Sequence, residues 1–171
     1  MIEYMKGFFL LITLPAAGLL SGCATGDQMV LDPVGPPPAQ LVAGSTSATG
    51  TLLVYSATRR NADFDARDSR TSEYSDYKIL SAGGTLLERV RNNSGSVLQD
   101  PAPVTLPPGK YTVVARANGY GLVAVPVKLS AGQTTVLHLE GSDPWPDKSA
   151  FNQTNAVCLP DGQTVGWKTS L

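Results

Sequence analysis

The chain has 171 residues and a near-neutral balance of 13 basic and 14 acidic side chains, so its length bounds it to about one domain. A net charge of −1 indicates neither a nucleic-acid partner nor an anionic membrane surface.

The first apolar run, residues 7–20, predicts a secretory signal peptide that ends before Cys23. The run is shorter than the roughly 18 to 20 apolar residues that a membrane-spanning helix requires. It closes on the tetrapeptide Leu20, Ser21, Gly22 and Cys23. An ordinary secretory signal with an incidental cysteine remains the alternative.

The Leu20–Cys23 tetrapeptide resembles the lipobox of bacterial lipoproteins. The resemblance implies that the Cys23 sulfur takes a diacylglycerol, that the chain is cleaved before Cys23, and that the new amine is acylated. Two or three acyl chains on one residue form a stable anchor. Ala24 follows the cysteine, and this resembles the outer-membrane sorting pattern of Gram-negative lipoproteins, so we expect a lipid-anchored protein on the periplasmic face.

Alkylation of Cys23 leaves Cys158 as the one remaining thiol. Its apolar setting, Ala156 to Leu159, predicts a small buried side chain, and an intermolecular disulfide is the alternative.

The stretch from Cys23 to residue 48 is rich in Pro, Gly, Ser, Thr and Ala, with few large apolar side chains. Such a segment cannot bury enough surface to offset its ordering entropy. We therefore expect a disordered tether that holds the domain away from the bilayer.

Residues 49–141 predict an all-β domain, an antiparallel β-sandwich of about seven strands, because short segments rich in Val, Leu, Tyr and Thr alternate with turn residues. The predicted strands are Gly50 to Thr58, Asp76 to Ser81, Thr85 to Arg91, Val104 to Leu106, Lys110 to Asn118, Leu122 to Leu129 and Thr134 to Glu140. Pro126 predicts an edge strand or a bulge. Pro107 to Lys110 predicts a type II turn with Gly109 at positive φ, and Ser130 to Gln133 predicts a short connection between paired strands.

The segment from Leu106 to Leu139 resembles the carboxypeptidase-regulatory-like and PEGA-type domains, which are small prealbumin-like β-sandwiches of exported bacterial proteins. The matching residues are Leu106 to Ala115, Gly119-Tyr120, Val125 to Val127 and Gly132 to Val136. The resemblance implies a fold and a spacer, adhesion or binding module, and it implies no catalytic site.

Residues 142–171 form a C-terminal extension in which Pro160-Asp161-Gly162 predicts the turn of a terminal hairpin. We expect this hairpin to fold back on the sandwich through Trp145 and Trp167.

His138 is the single histidine, and it lacks the ligand set of a zinc site and the partners of a catalytic triad. We therefore predict no catalytic residue, no metal site and no cofactor.

The most polar stretch, residues 59–70, predicts a long loop that contacts solvent or a partner. Its arginines are Arg59, Arg60, Arg67 and Arg70. Three aspartates in the loop would be calcium ligands only in the less favoured interpretation, because the interleaved arginines repel a cation.

Aromatic side chains offer the other contact surface, with Trp145, Trp167 and Tyr120 as candidates for stacking on a sugar, although core packing is the simpler role. The sequence thus predicts a non-enzymatic envelope lipoprotein whose domain is a structural or protein-interaction module. The alternative is a glycan- or peptidoglycan-binding module.

Overall fold

The computed structural model describes residues 28–38, 47–60, 72–92, 100–141, 145 and 148–171. Within these ranges the elements are β-strands and a 3-10 turn at Lys148–Ala150. The strands are β1 (Met29–Val30), β2 (Val34–Gly35), β3 (Gly50–Tyr55), β4 (Thr58–Arg60), β5 (Ser72–Tyr74), β6 (Tyr77–Ser81), β7 (Leu86–Val90), β8 (Val104–Leu106), β9 (Gly109–Ala117), β10 (Gly121–Leu129), β11 (Thr134–His138), β12 (Ala156–Cys158) and β13 (Thr164–Lys168).

The described strands form two main sheets in an open, sandwich-like arrangement. The large sheet has the order β12-β13-β2-β10-β9-β6-β7, with β1 also paired to β10, and the small sheet has the order β11-β3-β8. A separate two-stranded ladder joins β4 to β5. The predicted all-β class is confirmed, and it follows from short β-branched and aromatic runs between turn residues.

The hairpin of β9 and β10 is the longest ladder of the large sheet. Alternate residues such as Val113, Val123 and Val125 are fully buried, whereas Arg116 and Leu122 are exposed. This period of two places one face against the small sheet and leaves the other to solvent. Gly119 and Gly121 adopt positive φ in the connecting turn, a conformation that glycine reaches without a Cβ clash.

Two connections differ from the sequence predictions. Gly109 is not among the glycines with positive φ, since it begins β9 and pairs with Leu129, so the predicted type II turn is wrong. Ser130 to Gln133 does not join paired strands, because β10 lies in the large sheet while β11 pairs in parallel with β3 in the small one. Both segments carry the chain from one sheet to the other.

The N-terminal segment at residues 28–38 differs from the expected tether, because it contributes β1 and β2 to the large sheet. Both strands run parallel to β10, and Val34 is fully buried. Pro126 therefore lies in a central strand and not at an edge. β10 pairs with β1 at Val123 and Ala124 and with β2 at Val127, so Pro126 lies between these two contacts. The missing amide hydrogen of proline therefore interrupts neither of them.

The C-terminal hairpin of β12 and β13 extends the large sheet, because Trp167 and Lys168 pair with β2. The predicted hairpin is confirmed. The predicted burial of Cys158 is wrong, since its side chain is exposed while the flanking Val157 and Leu159 point into the core. Apolar neighbours in sequence suggested burial of Cys158, but successive side chains of a strand point to opposite faces.

A buried polar link joins the two sheets at Asn92, the residue that follows Arg91 after β7. The Asn92 Nδ2 group donates to the Val54 carbonyl at 2.7 Å and to Ser56 Oγ at 2.9 Å, and its Oδ1 accepts from the Ala102 amide at 3.1 Å. Ser56 Oγ in turn donates to the Ser75 carbonyl at 2.6 Å. Asn92 thereby fixes the end of β7 against β3.

Candidate functional site

His138 lies at the end of β11, directly beside Tyr55 of β3 in the parallel ladder. The two rings stack with centroids 4.3 Å apart and planes inclined by 14°. The partners Leu137 and Val54, one residue earlier in each strand, are fully buried in the core. Strand alternation therefore places His138 and Tyr55 on the opposite face of the small sheet from the core.

His138 is nevertheless buried, because other groups cover this face. Its Nδ1 lies 2.8 Å from Oε1 of Glu140, and Glu140 is also buried. This hydrogen bond satisfies one polar atom of each buried side chain. The Gln163 side chain adds a bond from its Nε2 to the His138 carbonyl at 3.2 Å, which ties the C-terminal hairpin to β11.

The ring cluster continues into the C-terminal extension. Trp145 meets His138 edge-on at 4.6 Å, and Phe151 meets Trp145 edge-on at 4.7 Å. Phe151 then stacks on Trp167 at 4.1 Å. The two edge-on contacts lie at the short end of favourable aromatic distances, and the stack of Phe151 on Trp167 is closer still. We call the six rings the aromatic cluster, and its members are Tyr74, Tyr55, His138, Trp145, Phe151 and Trp167.

Trp145 is fixed in the cluster through its indole nitrogen, since Nε1 donates to the Thr164 carbonyl at 3.0 Å. The ring is half-buried, as are Phe151 and Trp167. A partly exposed tryptophan with its polar group satisfied can pack against the protein on one side and remain open to a ligand on the other.

The electrostatic environment of the cluster disfavours tyrosine ionisation. Burial is the first cause that raises the pKa of Tyr55 above its ordinary value, with Asp100 and Glu140 adding to it. Burial likewise raises the pKa of Tyr74, followed by the effects of Glu140, Tyr55 and Asp100. Both phenols are therefore neutral at physiological pH and available as hydrogen-bond donors.

The chemistry that this arrangement supports is limited. His138 and Glu140 are an imidazole and a carboxyl group in hydrogen-bond contact, a combination that also orients catalytic bases. Here Tyr55 stacks on one face of the imidazole and Trp145 packs edge-on against it. Within the described ranges, no group of three or more His, Cys, Asp or Glu side chains is placed to hold a metal ion.

The structure brings two of the predicted contact residues together, because Trp145 and Trp167 both contact Phe151. Tyr120 lies elsewhere, in the turn between β9 and β10, and packs against the core. The backbones of Arg59 and Arg60 belong to β4 and pair with β5. Arg67, Arg70, Cys23 and the lipobox residues Leu20, Ser21 and Gly22 lie outside the described residues.

Sequence reasoning missed Glu140 and Phe151. The His138-x-Glu140 spacing was an available signal, because residues two apart in an extended chain point to the same side. Phe151 carries no comparable signal, since its position depends on the fold of residues beyond the sandwich strands.

A scan against protein-family models finds no match to this chain, and searches of curated proteins and of solved structures find none either. No helix in the described part of the chain is long and apolar enough to cross a membrane.

Proposed function

We propose that this protein is a non-enzymatic lipoprotein, anchored through acyl chains on Cys23 to the periplasmic face of an outer membrane. Its β-sandwich is a structural or protein-interaction module of the cell envelope. Two sequence features support this function, namely the lipobox Leu20–Cys23 and the resemblance of Leu106 to Leu139 to prealbumin-like carboxypeptidase-regulatory-like and PEGA-type domains. The aromatic cluster supports a structural role for His138, because ring contacts and Glu140 account for its burial.

The observation that carries the protein-interaction function is the edge strand β7. Among the described strands it pairs with β6 alone, so its other side is an open edge of the large sheet. Leu86 and Leu87 on this strand are 43% and 50% exposed. An open edge with apolar side chains accepts an extended segment of another protein by strand addition.

Site-specific photocrosslinking tests this function directly. A photoreactive amino acid replaces Leu87 in the full-length protein expressed in a Gram-negative host, and Leu171, which is 47% exposed at the C-terminus, is the matched control. We expect a discrete crosslinked envelope protein from position 87 that position 171 does not give. Leu86→Lys should abolish that product, because a lysine on an edge strand opposes pairing. Identical products from both positions would contradict the proposal.

A glycan-binding function is the second candidate, and the half-buried rings of Trp145, Phe151 and Trp167 favour it. If these rings bind a polysaccharide, Trp145→Ala should weaken sedimentation of the protein with purified peptidoglycan. Leu171→Ala is the control, because Leu171 is 47% exposed and lies outside the aromatic cluster. Peptidoglycan binding that is unchanged in Trp145→Ala would remove the cluster from consideration.

A further inference from the structure

The solvent face of the large sheet carries a continuous cross-strand row that runs from β1 to β7. Pairing places Val30 beside Ala124, Ala124 beside Val114, Val114 beside Lys78, and Lys78 beside Arg89. Residues directly opposite each other in a sheet share a face. Val30 is 69% exposed, and Lys78 and Arg89 are exposed, so this row lies on the face directed away from the core.

A second row follows on the same face, one pleat further along. Leu122 pairs with Arg116, and Leu122 is 50% exposed. Alternation also places Arg91 on the side of Arg89. Between the two rows lies a recess of about 310 Å³ whose lining includes Lys78, Arg89, Arg91 and Leu122. We call this surface, with Val30, Val114 and Arg116, the basic face.

The charges of the basic face are not balanced within the described part of the chain. Lys78 and Arg89 stand directly opposite each other, a placement of like charges that costs stability. Two ion pairs of described residues, His138 with Glu140 and Lys168 with Asp32, both lie away from the basic face. Asp76 lines the recess as its one acidic group, and its carboxylate accepts from the Asn92 amide at 3.3 Å.

The net charge alone therefore does not exclude an anionic surface as a partner of this protein. A net charge of −1 describes the sum over the chain and not its distribution. Folding collects four cations, Lys78, Arg89, Arg91 and Arg116, around exposed apolar side chains, and such an arrangement favours an anionic partner with an apolar part.

The proposed acylation of Cys23 points to a lipid surface as that partner. Met29, where β1 begins, is six residues after Cys23, so the chain between them spans at most about 20 Å. Because β1 runs parallel to β10 and pairs Met29 with Val123, β1 begins at the end of the sheet that carries Leu122. An acylated Cys23 would hold this end of the basic face close to the bilayer.

We propose that the basic face lies on an anionic phospholipid surface, with lipid phosphates at Lys78, Arg89 and Arg91 and with Leu122 and Val30 in the interfacial layer. This inference rests on the proposed lipid anchor and specifies the orientation that the anchor imposes. Each Lys or Arg near an anionic surface strengthens binding roughly fivefold. The open edge of β7 stays available to a protein partner from the side.

Lysine footprinting of the acylated full protein tests the orientation. The protein, with acylation established by intact mass, is inserted into phosphatidylcholine vesicles with and without an equal part of phosphatidylglycerol. Amine labelling is followed by mass spectrometry at Lys78 and at Lys148, which is exposed in the C-terminal extension. We expect labelling of Lys78 to slow at least about fivefold in the anionic vesicles, while Lys148 is unchanged. Equal labelling of Lys78 in both vesicles would overturn the proposal.

Two charge-matched variants sharpen the test. Arg89→Gln with Arg91→Gln should return the Lys78 labelling rate to its value in neutral vesicles, because two lost cations weaken the contact roughly 30-fold. Lys148→Gln with Lys168→Gln removes the same charge from outside the face and should leave Lys78 protected. Protection of Lys78 that requires an envelope extract and not the anionic lipid would identify a protein partner and refute the membrane contact.

The proposed acylation of Cys23 and the proposed membrane contact of the basic face can be tested separately. If intact mass shows no acyl group, the proposed anchoring fails, and the face is then tested by adding the same vesicles to the unacylated protein. Binding to phosphatidylglycerol vesicles that the Arg89→Gln, Arg91→Gln variant weakens would still support the face. Equal binding of this variant and of the Lys148→Gln, Lys168→Gln control would reject it.

Discussion

The buried link at Asn92 predicts a large loss of stability when its side chain is shortened. Asn92→Ala removes the bonds to the Val54 carbonyl, to Ser56 Oγ and from the Ala102 amide. Asn92 is fully buried, so water does not simply replace the lost group. With about 1 to 3 kcal/mol for each polar group left unsatisfied, we expect the free energy of unfolding to fall by about 3 to 5 kcal/mol.

Urea denaturation of the chain without its leader measures this change, and Gln153→Ala is the control. Gln153 is exposed in the C-terminal extension, and its substitution should alter stability by less than about 0.5 kcal/mol. A loss below about 1 kcal/mol for Asn92→Ala would contradict this prediction, because it would mean that the three bonds make almost no net contribution.

A double-mutant cycle with Ser56 shows whether the link acts as a unit. Ser56→Ala removes both the acceptor for Asn92 and the donor to the Ser75 carbonyl. Because the two side chains are in direct contact, the double variant should be less destabilised than the sum of the single variants by about 0.5 kcal/mol or more. Strict additivity would show that the two residues are independent.

Three further predictions concern stability. Gly166→Ala should destabilise the protein by about 1 to 3 kcal/mol, because its Cβ would lie 2.6 Å from Val34 Cγ1 and 2.9 Å from the Val136 carbonyl; an unchanged melting temperature would contradict this. Tyr77→Phe should be neutral or stabilising by up to about 1 kcal/mol, since the Tyr77 hydroxyl is buried and has no hydrogen-bond partner in the described structure; a clear loss in urea denaturation would indicate a missed partner. Burial, followed by Glu88, raises the pKa of Tyr77 above its ordinary value of 10.0, so stability present below pH 10 should decline as the pH rises further, less steeply in Tyr77→Phe.

The strand pattern of the sandwich was predictable because it depends on local signals. Val123, Val125 and Val127 alternate with less buried neighbours, and glycines mark the turn before β10. The terminal hairpin was likewise evident from Pro160-Asp161-Gly162. These features require only side-chain periodicity and backbone preference, both of which act over a few residues.

Features that depend on long-range pairing escaped sequence reasoning. β1 and β2 have only two residues each. Both pair with β10, which follows them nearly a hundred residues later in the sequence. The basic face appears only when register brings Lys78 beside Arg89 and Leu122 beside Arg116. Composition cannot reveal such a segregation of charge, because it sums over both faces of the sheet.

The candidate site was predictable in part. Trp145 and Trp167 were identified as the contacts of the C-terminal extension, and both lie in the aromatic cluster. The stacking of His138 on Tyr55 depends on the parallel register of β11 and β3, which the antiparallel prediction did not contain.

The lipid anchor on Cys23, on which the proposed function rests, can be tested by intact mass and membrane fractionation. The wild-type protein and a Cys23→Ser variant would be expressed in a Gram-negative host. We expect the wild type to begin at Cys23, to carry the mass of its acyl chains and to sediment with the outer membrane, while the variant has no acyl mass. Two soluble, unmodified forms would contradict it and would favour a free secreted domain.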